Sequence, residues 1–128
     1  MELFVEGNKD YVYGGKFTGP VQLEMMLEAP DGTEPDIARV HFSDGAVTNW
    51  HSHPGGQLLY LVSGTGRVGN NDGEHTGIVP GTLVQTPADE NHWHGADDGA
   101  NAVWLAITWG TTCWHDHSPL EHSRLEVA

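Results

Sequence analysis

Glycine and proline interrupt this chain so often that a turn residue arrives before any segment reaches the length of an ordinary helix. The 17 glycines and 7 prolines fall largely in clusters with turn chemistry: "APDGTEPD", "SDG", "HPGG", "GTG", "GNNDG", "VPG" and "PADEN". Between the clusters the chain alternates in steps of two, through β-branched and aromatic residues. The segments are "VQLEMMLE" (21–28), "DIARVHF" (36–42), "AVTNWHSH" (46–53), "QLLYLVS" (57–63) and "AVWLAITW" (102–109). Short strands at this spacing predict an all-β fold, a small barrel. Only "PLEHSRLEV" near the C-terminus has the pattern of a short helix. No repeat or linker divides the 128 residues, so one domain over 1–128, with one hydrophobic core, is expected.

Charge narrows the partners. Eighteen acidic against five basic residues give a formal charge of −13, which repels nucleic acid and anionic membranes. Neither is expected as a partner, and a small molecule is. The start "MELFVEGNKDYVYGG" lacks the basic and apolar regions of a signal peptide, and no apolar run approaches the ~20 residues of a membrane span. A cytoplasmic location is the expectation. Cys113 is the one cysteine, so no disulfide forms within the chain.

The histidines carry the chemistry. In a strand, residues i and i+2 share a face, so "WHSHPGGQ" projects His51 and His53 together, and "NHWHG" does the same with His92 and His94. Two such pairs on two strands of one small barrel can converge in its interior. Imidazole suits manganese, iron, cobalt, nickel, copper and zinc, so the pairs read as ligands of a divalent transition metal.

The same segments resemble the two sequence motifs of the cupin family. Its first motif, Gly-x5-His-x-His-x3,4-Glu-x6-Gly, is similar to Gly45, His51, His53, Gln57 and Gly64, with Gln57 in place of the glutamate. Its second, Gly-x5-Pro-x-Gly-x2-His-x3-Asn, is similar to Gly81, Pro87, Asp89, His92 and Ala96, with Asp89 at the glycine and Ala96 at the asparagine. Together the motifs span 45–96. The resemblance implies a single jelly-roll barrel and a metal held by His51, His53, Gln57 and His92. It leaves His94 as a proton-transferring group beside the metal, a fifth ligand, or a residue that only packs at the cavity mouth.

Gln57 sharpens the expectation. Three histidines and a glutamate leave a divalent ion near +1, whereas a neutral amide leaves it near +2. A less neutralised ion is a stronger Lewis acid and holds anions more tightly. That favours acid–base or lyase chemistry over oxygen activation. The alternative is that Gln57 is no ligand and simply hydrogen-bonds within the barrel. "WHSHPGGQ" followed by "HWHG" is also similar to a narrower group of small bacterial cupins that includes manganese-dependent hydroxynitrile lyases. That likeness implies lyase chemistry on a small carbonyl or hydroxy compound, manganese ahead of iron, zinc, nickel or cobalt, and His94 as the catalytic proton carrier. A dioxygenase, a polyketide cyclase or isomerase, and a non-catalytic binding protein are the alternatives.

Other features are weaker. Leu59, Leu61, Val40, Trp104 and Ala106 share the histidine faces and are candidate cavity walls, with plain core packing as the competing role. "CWHDHS" sets His115 and His117 near Cys113 without partners at known metal spacing, and reads as a solvated or interface segment. His75 is expected in a surface hairpin loop, and His41 at a solvent or interface position. "GTGRVG" reads as a hairpin turn, since it lacks the strand–helix setting of a dinucleotide loop. No Gly-x-Ser-x-Gly elbow supports a hydrolase triad. Five tryptophans in so short a chain point to a homodimer, whose interface aromatics would enrich.

Overall fold

The alternating segments become strands of two antiparallel sheets in the computed structural model, which describes residues 1–11 and 16–120. The strands are β1 (Asn8–Tyr11), β2 (Val21–Leu27), β3 (Asp36–Phe42), β4 (His51–Ser52), β5 (Gln57–Gly64) and β6 (Gly66–Asn70). They continue as β7 (Gly73–Ile78), β8 (Leu83–Thr86), β9 (His92–Ala96), β10 (Ala102–Thr108) and β11 (Cys113–Trp114). The larger sheet runs β1-β2-β3-β10-β5-β8 and the smaller β11-β4-β9-β6-β7. This is an all-β jelly roll with no helix among the described residues. Consequently no described helix is long and apolar enough to cross a membrane. Pro119 and Leu120 end the described chain as a turn, and the rest of "PLEHSRLEV" lies outside the described residues.

One strand supplies both the core and the site. On β10, Ala102 and Trp104 point into the packed end of the barrel, and Ala106 and Thr108 point into a cavity at the other end. The neighbouring strands follow the same division. Phe42 of β3 and Leu59 and Leu61 of β5 join the core, while Ala38 and Val40 of β3 and Gln57 of β5 face the cavity. Trp104 is fully buried, and its Nε1 donates to the Gly95 carbonyl at 2.9 Å, tying the two sheets together. Truncating such a side chain to alanine costs about 3–5 kcal/mol.

Two local outcomes differ from the alternation pattern. "AVTNWHSH" is extended but not one ladder. Thr48 N donates to His94 O, Asn49 N to Lys16 O and Trp50 N to His117 O, so successive backbone groups meet three separate segments. "GTG" is not a hairpin: β5 and β6 belong to different sheets, and the chain crosses between them at Thr65. Gly64 makes that crossing with φ of 81°, and a Cβ there would lie 2.0 Å from the Asn101 carbonyl oxygen. Only glycine fits such a close backbone approach.

Candidate metal centre

β4 and β9 pair with His51 directly opposite His92, which puts these two imidazoles side by side, with ring centroids 4.3 Å apart. His53 follows on the same face, its ring 4.9 Å from His51 and 5.2 Å from His92. The "PGG" turn then reverses the chain. Gly56, at φ of 83°, brings it back so that Gln57 opens β5 beneath the three rings. All four side chains are at least 95% buried. Asp89, at the place of a motif glycine, adopts φ of 64°, the left-handed conformation that Asp tolerates better than most residues. Its N–H donates to the His53 carbonyl at 2.8 Å, so the turn ahead of His92 is intact. Ala96, at the motif's asparagine, is fully buried in the core.

The hydrogen bonds determine which ring nitrogen faces inward. His51 Nδ1 lies 2.8 Å from the Asn49 carbonyl, and His92 Nδ1 lies 3.0 Å from the Glu90 carbonyl. A carbonyl oxygen only accepts, so each Nδ1 carries the proton and each Nε2 presents a lone pair. His53 Nδ1 meets the Thr112 hydroxyl at 3.1 Å, and its Nε2 is buried without a hydrogen-bond partner. Gln57 points Oε1 at His92 Nε2, 2.9 Å away, and donates its Nε2–H to Thr108 Oγ1 at 2.9 Å. An amide oxygen and an imidazole lone pair thus face each other with no proton between them. Ligand atoms of His51, His53 and His92 lie within 4.8 Å of one another, the only such trio of His, Cys, Asp or Glu side chains among the described residues. Acceptors converging in a buried space without a donor fit a divalent cation. The three histidines form a site of the kind that binds a metal.

The electrostatics agree. Burial is the first cause lowering every histidine of the group. His53 falls to about 4, with His92 adding to the effect and Gln57 opposing it. His51 lies well below its ordinary value through burial and the nearby His92, against the Asn49 carbonyl. His92 is lowered by burial against the pull of Glu90. All are neutral at pH 7, the form that binds a metal.

His94 does not join the trio. Its ring stacks on His92 at 6.1 Å and sits edge-on to Phe42 at 5.5 Å, and its Nδ1 is buried without a partner. Burial, then His51, His92 and His53, holds its pKa well below the ordinary range. It lines a cavity of about 140 Å³ together with His51, His53 and Gln57. Phe17, Leu23, Met25, Ala38, Val40, Ala106 and Trp114 form the apolar walls, and Asp36, Thr48, Thr108 and Thr112 complete the lining, with no Lys or Arg. Of the expected wall residues, Val40 and Ala106 are there. Leu59, Leu61 and Trp104 lie deeper, fully buried in the core.

Phe17, Thr112 and Trp114 gave no signal as site residues in the sequence, whereas Thr108 is two residues beyond Ala106 on the same strand face and the alternation of 102–109 could have found it. Trp114 packs on His51 at 4.6 Å and on Phe17 at 5.8 Å, so within "CWHDHS" this one residue is cavity wall, while Cys113, Asp116 and His117 are exposed as expected of a solvated segment. β11 brings it there by pairing Trp114 with His51. His115 bonds Asn91 at 3.0 Å, His117 and Cys113 are exposed, and the three gather no metal-holding group among the described residues. His75 is exposed, on edge strand β7 rather than in a loop. His41 is partly exposed and bonds Glu24 at 3.1 Å.

A two-sheet jelly roll with a histidine trio at the cavity end defines a cupin. Residues 38–108 match the cupin domain, and the chain belongs to that family. It is 40% identical over 91 residues to the (R)-mandelonitrile lyase of Granulicella tundricola, spanning 71% of this chain and 70% of that protein. A cupin-like protein of Thermotoga maritima superposes with a TM-score of 0.80 at 30% identity, over 98% of this chain and 96% of that one. The polyketide cyclase RemF of Streptomyces resistomycificus shares the fold, with a TM-score of 0.70 at 16% identity over 97% and 92%. Two of these three proteins are named as enzymes, a lyase and a polyketide cyclase, and their chemistries differ.

Proposed function

We propose that this chain is a metal-dependent lyase that cleaves and forms the carbon–carbon bond of a cyanohydrin. His51, His53, Gln57 and His92 hold a divalent ion, manganese in the leading version, and His94 carries the proton. The observation behind this reading is the donor set itself: three neutral imidazoles and a neutral amide, with no carboxylate among them, at one end of a cavity with apolar walls and Asp36 as its one carboxylate. Bound there, the ion supplies Lewis acidity toward an oxygen or an anion. His94, neutral and with Nδ1 unpartnered, takes the hydroxyl proton of the cyanohydrin. The electron pair of the C–CN bond leaves with cyanide as the carbonyl forms, and return of the proton gives hydrogen cyanide. Phe17, Leu23, Met25 and Trp114 exclude water and accommodate the carbonyl product's apolar body. The 40% identity to a mandelonitrile lyase supports the same reaction class.

The test is elemental analysis of the purified protein, EPR with and without cyanide, and cleavage of mandelonitrile before and after metal stripping. About one manganese or iron per chain, a signal altered by cyanide and turnover lost on stripping are the expected results. Full turnover by stripped protein, or none by loaded protein, rejects the proposal.

A further inference from the structure

Each ligand proposed above must present one particular end to the ion, and two of the four have an end that is not set by a backbone group. His51 and His92 are oriented by carbonyls, which leave no choice of tautomer. Gln57 and His53 rest on hydroxyls instead: Gln57 Nε2 lies 2.9 Å from Thr108 Oγ1, and His53 Nδ1 lies 3.1 Å from Thr112 Oγ1. Thr108 is the last residue of β10 and faces Gln57 in register across the sheet. Thr112 immediately precedes β11, which pairs with β4 next to His53. Both threonines line the cavity.

We infer that Thr108 and Thr112 are positioning residues, whose hydroxyl oxygens accept the N–H of Gln57 and of His53 and thereby hold Gln57 Oε1 and His53 Nε2 toward the metal position. This rests on the ligand set of the proposed function. An amide is ambivalent in a way a carboxylate is not. With Oε1 turned inward, its NH2 group needs an acceptor, or it is buried unpaired. Thr108 is that acceptor. A glutamate at the same place would present an oxygen either way, so the need for this partner follows from Gln57. Thr112 does for His53 what the Asn49 and Glu90 carbonyls do for the other two imidazoles. Groups behind metal ligands typically govern affinity by about 10–100-fold.

The experiment is titration of the metal-free chain with Mn²⁺, followed by EPR, for wild type, Thr108→Val, Thr108→Ser, Thr112→Val and Thr112→Ser, with thermal unfolding of each metal-free form. Each valine, matched in shape but lacking the hydroxyl, is expected to weaken Mn²⁺ binding by about tenfold or more. Each serine keeps near wild-type affinity, and the metal-free melting curves show every variant to be folded. Valine variants that bind as tightly as wild type overturn the assignment, as do serines that lose as much as the valines, since packing is then the cause. A wild-type chain that takes up no Mn²⁺ overturns the ligand set itself, and this inference with it.

Discussion

Two buried polar clusters among the described residues, one around Glu24 and one around His51, end in opposite states. On the outer side of the larger sheet, Glu24 is 1% exposed yet fully paired. It accepts from Arg39 Nε at 3.0 Å and Nη2 at 2.8 Å, from Gly7 N at 3.0 Å and from His41 Nε2 at 3.1 Å. The Arg39 hydrogen bonds come first among the causes that lower its pKa to about 2, with Gly7 and His41 adding to them against burial. On the inner side, His51, His53, His92 and His94 crowd together, and two of their nitrogens have no partner. Glu24 is completed by its own chain; the inner cluster, with His53 Nε2 and His94 Nδ1 unpartnered, is not. Burial of a titratable group therefore does not mark a site. The presence or absence of partners does.

Replacing His94 tests the inner cluster most severely. His94→Ala is expected to keep one metal per chain and to lower cyanohydrin turnover by about 10²–10⁴-fold, read from elemental analysis and steady-state rates on the same sample. Loss of the metal would make His94 a ligand and end its assignment as proton carrier. For the outer cluster, Glu24→Gln keeps the shape but removes the charge opposite Arg39. Urea unfolding should show a loss of about 1–3 kcal/mol, with metal binding unaffected. An unchanged midpoint would mean that the Arg39–Glu24 pair contributes nothing net.

Gln57→Glu sharpens the contrast from within, by giving the inner cluster the carboxylate it lacks. Metal is retained, and azide binding to the loaded protein weakens by about tenfold, because the ion is more neutralised. Equal or tighter azide binding would remove the charge argument for Gln57. The finest distinction is in acid. The histidines of the metal-free chain have pKa values below their unfolded 6.5, His53 at about 4. Their unfolded forms take up protons first, so stability falls as pH drops from about 6.5 toward 4. Glu24 moves from 4.5 unfolded to about 2 folded, so its contribution is present above pH 4.5 and is lost between there and pH 2. Urea midpoints across pH should fall through both ranges, and Glu24→Gln should remove only the part of the fall between pH 4.5 and 2 that Glu24 contributes.

Much of this was legible because strands announce faces. Alternation located β3, β5 and β10 nearly to the residue, and the His-x-His pairs marked which faces converge. Depth was not legible. Leu59, Leu61 and Trp104 share a face with Gln57 and Ala106, but lie further into the barrel along the same strands, where the cavity has closed. β6 and β7 escaped notice because glycines and an exposed edge erase the apolar alternation. Trp114, Phe17 and Thr112 reach the site through pairings between distant segments, and no local pattern encodes those. Gln57 was visible as a departure from a motif, but its orientation depends on a threonine 51 residues away.

The irregular path of residues 46–52 has a consequence in time. The amides of residues 46–50 are donated to the carbonyls of Ser43, His94, Lys16 and His117 and to the Thr18 hydroxyl, contacts on well-separated parts of the chain. No single local opening releases them all. The stretch that looks least like a ladder should exchange its amide protons with solvent about as slowly as the core strands, only when the barrel opens as a whole. His51 is thereby fastened to one of the slowest-breathing segments of the molecule.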